Sequence, residues 1–171
     1  ALKQLCEEAA RVFKDVTGHD RIMVYRFAEE GHGEVFAELR RHDLEPYLGL
    51  HYPASDIPAQ ARQVFVINPF RVIRDVDYLP SALSPVLNPL SGGPLDLSRS
   101  LLRSVSPVHL EYLRNMGVGS SLTLSLLRDG RLWGLVACHH QRPHPISARV
   151  RDVASWMAQD LATQIALTEE V

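Results

Sequence analysis

The sequence predicts an α+β domain whose central antiparallel sheet carries helices on one face and leaves the other face free to build a ligand pocket. Three observations predict it. Apolar residues recur at helical spacing at both ends of the chain, over Leu2–Phe13 and Val150–Ile165. Between them lie two pairs of β-rich segments, each joined by a turn signal short enough for a hairpin. Strands and helices do not alternate as parallel sheets require, so the antiparallel class follows.

The elements run in order. Leu2, Leu5, Ala9, Val12 and Phe13 form the stripe of an amphipathic helix, and Gly18 after Thr17 is a fitting stop. Arg21–Phe27 is rich in β-formers, and a turn around Gly31 and Gly33 returns the chain through a second strand over 34–39. Regularity is lost from His42 to Pro53. Ser55 and Asp56 then stand ahead of Pro58, the grammar of a helix start, with a helix to about Phe65. A short strand over Phe70–Ile73 precedes a Pro-, Ser-, Gly- and Leu-rich stretch from Pro80 to Ser98. Loops of that length inside a compact domain usually serve a function or are threaded by another segment. Ser106-Pro107 starts a further helix ending at Gly117. Ser121–Leu126 alternates as a half-buried strand does, Asp129-Gly130 is a hairpin turn, and Arg131–His140 returns. The last helix spans about 148–167 with Val150, Val153, Trp156, Met157, Leu161 and Ile165 as its stripe.

Composition narrows the function classes. The 171 residues suit one domain, 46% hydrophobic and 22% charged, with a formal net charge of −2. That charge gives no electrostatic reason to expect nucleic acid or an anionic membrane as partner. No apolar run reaches the roughly 18 residues that a membrane span needs. Cys6 and Cys138 match no metal or disulfide spacing, so a reducing cytoplasm is the expected compartment. Both ends fall inside helical patterns, which suggests a fragment of a longer protein.

Catalytic patterns are weak. In Cys138-His139-His140 adjacent strand residues point to opposite faces, so the three cannot converge on one ion, and Cys138 reads as a small buried hydrophobe. Gly31-x-Gly33 lacks a phosphate loop's third glycine and precedes a strand. The carboxylates are scattered, so no enzymatic activity is expected of this segment. What stands out is Tyr52-Pro53-Ala54-Ser55-Asp56-Ile57-Pro58, where two prolines force extended geometry on Tyr52 and Ile57. Ser55 or Asp56 is there either a helix cap or part of a rigid turn that presents the Asp56 carbonyl and the Ile57 side chain to a ligand.

Pro53–Pro58 resembles the PASDIP signature of phytochrome GAF domains, especially those of bacteriophytochromes. Arg103–His109, Tyr112–Ser121 and Trp133–His140 resemble further family motifs in the same order, so the likeness covers essentially the whole chain. It implies a single GAF domain over 1–171 that holds a linear tetrapyrrole (bilin), biliverdin first and phycocyanobilin as the alternative. Asp56 resembles the aspartate whose backbone carbonyl accepts from the pyrrole N–H groups, and His109 the histidine beside those nitrogens. Arg71 and Arg103 resemble the arginines that bind the propionates, with Ser106, Ser121 and Thr123 as nearby hydroxyls. Tyr25, Tyr52, Tyr112 and His139 would surround the fourth ring, while Ile57 and Pro58 pack at the other end. The chain departs from the family at Val108, where many members carry the attachment cysteine, and at Phe65, where many have Tyr. The resemblance therefore implies non-covalent bilin binding, a knot-like role for the 80–98 loop, flanking PAS and PHY domains, a possible homodimer, and a histidine kinase in the parent. The competing expectations are a GAF domain for another small ligand, such as a cyclic nucleotide, and a dimerisation module without photochemistry.

Overall fold

The computed structural model describes residues 1–170. Helix α1 (Leu2–Thr17) leads into strands β1 (Arg21–Phe27), β2 (Gly33–Arg40) and β3 (His51–Tyr52). Then follow α2 (Ala59–Ile67), β4 (Phe70–Ile73), α3 (Pro107–Asn115), β5 (Ser120–Arg128), β6 (Arg131–His140) and α4 (Ala148–Glu169). The strands form one six-stranded sheet in the order β3-β2-β1-β6-β5-β4. Every neighbouring pair is antiparallel. Two local hairpins, β1–β2 and β5–β6, are thus joined through the long-range pairing of β1 with β6.

The turns follow from residues that tolerate positive φ. Gly18 closes α1 at φ 74°, and Asp129 and Gly130 take φ 51° and 73°, the pair of left-handed residues that suits a two-residue hairpin.

The terminal helices cover one sheet face. Cys6, Ala10 and Phe13 of α1 and Ala154, Ala158, Leu161 and Ile165 of α4 meet Ile22, Val24, Leu122, Leu124, Leu126, Val136 and Cys138 of the sheet. Burying each larger aliphatic side chain contributes about 1.5–3 kcal/mol. A smaller cluster of Ile73, Val76, Leu110, Leu113 and Val118 seats α3 at the opposite face.

Four expectations need correction. Ser55 and Asp56 do not cap α2: they lie in a separate 3-10 turn, and the helix begins after Pro58 with no side-chain cap. Pro58 itself, extended at φ −65° and ψ 163°, supplies the entry. The irregular 42–53 stretch contains β3, which adds an edge strand to β2. Strand β5 is not half-buried, because Ser120, Ser121 and Ser125 are buried along with its leucines. It lies inside the sheet with protein over both faces. In α4 the buried stripe uses Ala154 and Ala158, whereas Trp156 is 67% exposed. Small alanines let α4 approach the sheet closely, and a Trp on that line would hold it off.

Candidate functional site

The face opposite α1 and α4 is built by strand alternation. Pairing aligns Arg71, Thr123, Ala137, Met23 and Glu38 in one row across β4, β5, β6, β1 and β2. The next row is Ile73, Ser121, His139, Arg21 and Arg40. A third runs Ser125, Leu135, Tyr25 and Val35. Period-two geometry therefore puts hydroxyls, a histidine and arginines on one surface while the intervening leucines face the core. Helix α2 crosses this surface, held by the Ser125 hydroxyl donating to the Phe65 carbonyl at 2.6 Å. None of the residues of α2 is fully buried, although most are apolar.

At one end of the face the side chains are aromatic. The Tyr25 ring lies 5.2 Å from Phe27 and 5.8 Å from Tyr52. It crosses over Gly33, where an added Cβ would sit 2.1 Å from the ring, so only glycine leaves room for it. Burial, then the proximity of Tyr112, Asp56 and Tyr52, pushes the Tyr25 hydroxyl above the usual phenol range. Burial, then Tyr52 and Asp56, pushes Tyr112 up to about 12. Tyr25, Tyr52, Tyr112 and Asp56, from β1, β3, α3 and the 3-10 turn, thus lie near one another. Ile57, ahead of Pro58, stands at φ −127° and ψ 86°, outside the α region that a following proline disfavours.

Across the sheet, His139 stands on β6, between β1 with Tyr25 and β4 with Arg71. Leu110 and Leu113 anchor α3, leaving His109 and Tyr112 on its open side with their rings 6.2 Å apart and near parallel at 15°. His109 is exposed on this side, and burial of its ring by neighbouring protein, then Arg71, lowers its pKa. His139 is pushed down to about 4, first by burial and then by Arg21 and His109. It is neutral at physiological pH, with one ring N–H to donate and one nitrogen to accept. Its Nδ1 is buried without a hydrogen-bond partner.

Arg71 and Arg103 form the other end. Arg71 donates to the carbonyls of Arg103 at 2.6 Å and Leu101 at 3.3 Å, and Arg103 donates to Ser100 at 2.9 Å. Burial, then the Arg103 charge, lowers the Arg71 pKa. Neither guanidinium forms an ion pair among the described residues, so two like charges stand together with no acidic counterpart. Thr123, opposite Arg71, and Ser121, opposite His139, join this surface.

Other named residues contribute less. Ser106 precedes α3 without making a side-chain cap. Val108 is 80% exposed and so packs little against its own chain. Phe65 is half-buried on α2, and Pro58 is exposed at its start. Cys6 and Cys138 are fully buried in the core on the opposite face. Burial pushes Cys6 up to about 11 and raises Cys138 as well, which leaves both as inert thiols.

Sequence reasoning missed several supporting residues. Arg21 pairs with Glu38 at 2.5 Å, both nearly buried, and its guanidinium lies 3.9 Å from the Tyr47 ring centroid. Glu38 also accepts from the backbone N–H of Tyr47 and Leu48, fixing the β2–β3 loop beside the site. The signal was the period-two spacing of Arg21, Met23 and Tyr25. A cavity of about 420 Å³ lies elsewhere, among Arg26, Phe27, Glu34, Trp133 and Glu169, and apart from the candidate ligand residues.

A family model for the GAF domain matches residues 1–168. The chain belongs to the GAF domain family. Among known proteins, this GAF domain is 51% identical to a bacteriophytochrome of Xanthomonas campestris over 98% of its length, which is 27% of the relative. It is 49% identical to the phytochrome-like protein Cph1 of Synechocystis over 99% of its length and 24% of the relative. The crystal structure of the chromophore-binding domain of a bacteriophytochrome from R. palustris superposes with a TM-score of 0.94 at 48% identity. That alignment covers 99% of this chain and 57% of the other. The GAF domain thus spans about a quarter of the curated relatives' length.

Proposed function

We propose that this GAF domain binds a bilin and serves as the light-sensing part of a phytochrome-type red/far-red receptor. The observation that carries the reading is one sheet face that brings together two acid-free arginines, a tyrosine cluster and the neutral His139. Few ligands other than a long conjugated dicarboxylate use all three. When bound, the bilin supplies the light absorption and the double-bond isomerisation; the protein supplies its environment.

Arg71 and Arg103 would hold the propionates, since a guanidinium fork matches a carboxylate and the pair has no acid of its own. Asp56 and His109 would face the pyrrole nitrogens. A cationic chromophore in an apolar site keeps its proton only with such acceptors nearby. His139, neutral at physiological pH, would donate a ring N–H to a ring carbonyl. The half-buried apolar residues of α2 would close over the ligand.

Biliverdin held without a covalent bond is the reading that the thiols support, because both lie in the core behind the sheet and Val108 stands at the family's attachment position. The domain's share of its relatives supports further domains in the parent, read as PAS before it and PHY then a kinase after it, with α4 as the output element, pairing in a homodimer, in the cytoplasm.

The test is an absorbance spectrum of the purified chain with biliverdin, before and after red illumination, with mass spectrometry of the product. A strong red band that changes reversibly, and no mass adduct, is the expected result. Spectra equal to free biliverdin would overturn ligand binding, and a thiol adduct would overturn the non-covalent mode.

A further inference from the structure

The guanidinium of Arg62 on α2 joins parts of the fold that are far apart in sequence. Its Nε donates to the Ile57 carbonyl at 2.9 Å, and an Nη donates to the carbonyl of Gly31 in the β1–β2 turn. Its flat face lies 4.1 Å from the Phe27 ring centroid. Phe27 in turn packs edge-on against Tyr25. Arg62 forms no ion pair among the described residues, so its donors serve carbonyls and its face serves an aromatic ring. The β1–β2 turn is shaped to receive it: Gly31 stands at φ 95°, and a Cβ there would approach Ala54 at 3.3 Å and Arg62 at 3.7 Å.

We propose that Arg62 is a positioning residue of the ligand site, clamping the 53–58 turn to the β1–β2 turn so that Asp56 and Ile57 stay in register with the aromatic ladder of Phe27, Tyr25 and Tyr52. The part of this that concerns the bilin rests on the function proposed above; the clamp itself does not. The fork is what matters. One planar group reaches two carbonyls and a ring at once, and a lysine ammonium has the charge without the plane. A charge-only role predicts that lysine substitutes well, whereas a clamp predicts that it does not.

The experiment compares wild type, Arg62→Lys and Arg62→Met by amide hydrogen exchange of the ligand-free chain. Both variants are expected to exchange about tenfold faster at residues 28–32 and 54–57 together, the consequence of losing a charge-assisted hydrogen bond, with β5 and β6 unchanged. Wild-type protection in Arg62→Lys, or acceleration spread evenly over the sheet, would overturn the clamp. Should Arg62→Met lose the fold, Arg62→Lys carries the same comparison at unchanged charge. With biliverdin bound, Arg62→Lys should move the pH midpoint of the red band by about one unit, because the Asp56 carbonyl no longer holds its place. An unmoved midpoint in a protein with accelerated exchange would overturn the link to the ligand. A wild type that takes up no biliverdin would defeat the proposed function, while the exchange comparison still decides on Arg62.

Discussion

On the proposed function, Arg71 and Arg103 would write a ligand preference into single residues. Burial disfavours the Arg71 charge first and the neighbouring Arg103 charge adds to it, and both lower the Arg71 pKa. An incoming carboxylate relieves both costs. Arg71→Ala should therefore weaken biliverdin binding by about tenfold, one charge-assisted contact's worth. Biliverdin dimethyl ester, which lacks the carboxylates, should bind wild type and the variant equally in a fluorescence titration. An ester that is as sensitive to the substitution as the free acid would show that Arg71 acts through packing instead. Gly33 is the complementary case, a residue whose missing side chain decides where Tyr25 lies.

At the scale of elements, α4 shows how one helix divides its duties. Ala154, Ala158, Leu161 and Ile165 bind it to the sheet, while Trp156 on another side is 67% exposed. Urea unfolding should separate the two sides. Leu161→Ala is expected to cost about 2–5 kcal/mol through the cavity it leaves. Trp156→Ala, at a surface site, should stay within about 0.5 kcal/mol. A large loss at Trp156 would mean that this surface is covered, as it would be by a second copy of the chain. The 53–58 turn is the other instructive element. Its prolines fix local geometry, but its place over the sheet comes from Arg62 on the following helix.

The molecule as a whole separates an apolar face, where the terminal helices make stability, from a polar face available to a ligand. Its acid response should reveal buried histidines outside that face. His19, 1% exposed, faces His140 at 6.1 Å and His144 at 4.6 Å between ring centroids, with Asp20 beside it. Burial, then the His144 and His140 charges, pushes its pKa from 6.5 down to about 3. The unfolded chain takes up the proton below pH 6.5 and the folded one only near 3. His19's contribution is thus complete above 6.5 and is lost as pH falls toward 3. Unfolding free energy should fall by up to about 1.4 kcal/mol per pH unit from this group alone. His19→Leu should flatten the profile between pH 6.5 and 5; an unchanged slope would show that His19 is accessible to protons in the folded state.

What the sequence determined by itself was local. Helical and period-two spacing, Gly18, Asp129-Gly130 and Ser106-Pro107 mark elements within a residue or two of where they lie, because each depends on neighbours along the chain. His109, His139 and Tyr25 were singled out by the resemblance to phytochromes and not by spacing. Tertiary structure decided which polar residues share a surface. Arg71 meets Thr123 only through β4–β5 register, and Ser125 is buried only because α2 crosses above it. It also decided that Ala154 and Ala158, and not Trp156, face the core. Arg62 was invisible in the sequence because its partners lie in other elements, and a clamp between Ile57, Gly31 and Phe27 exists only once the chain has brought those backbones within reach of one guanidinium.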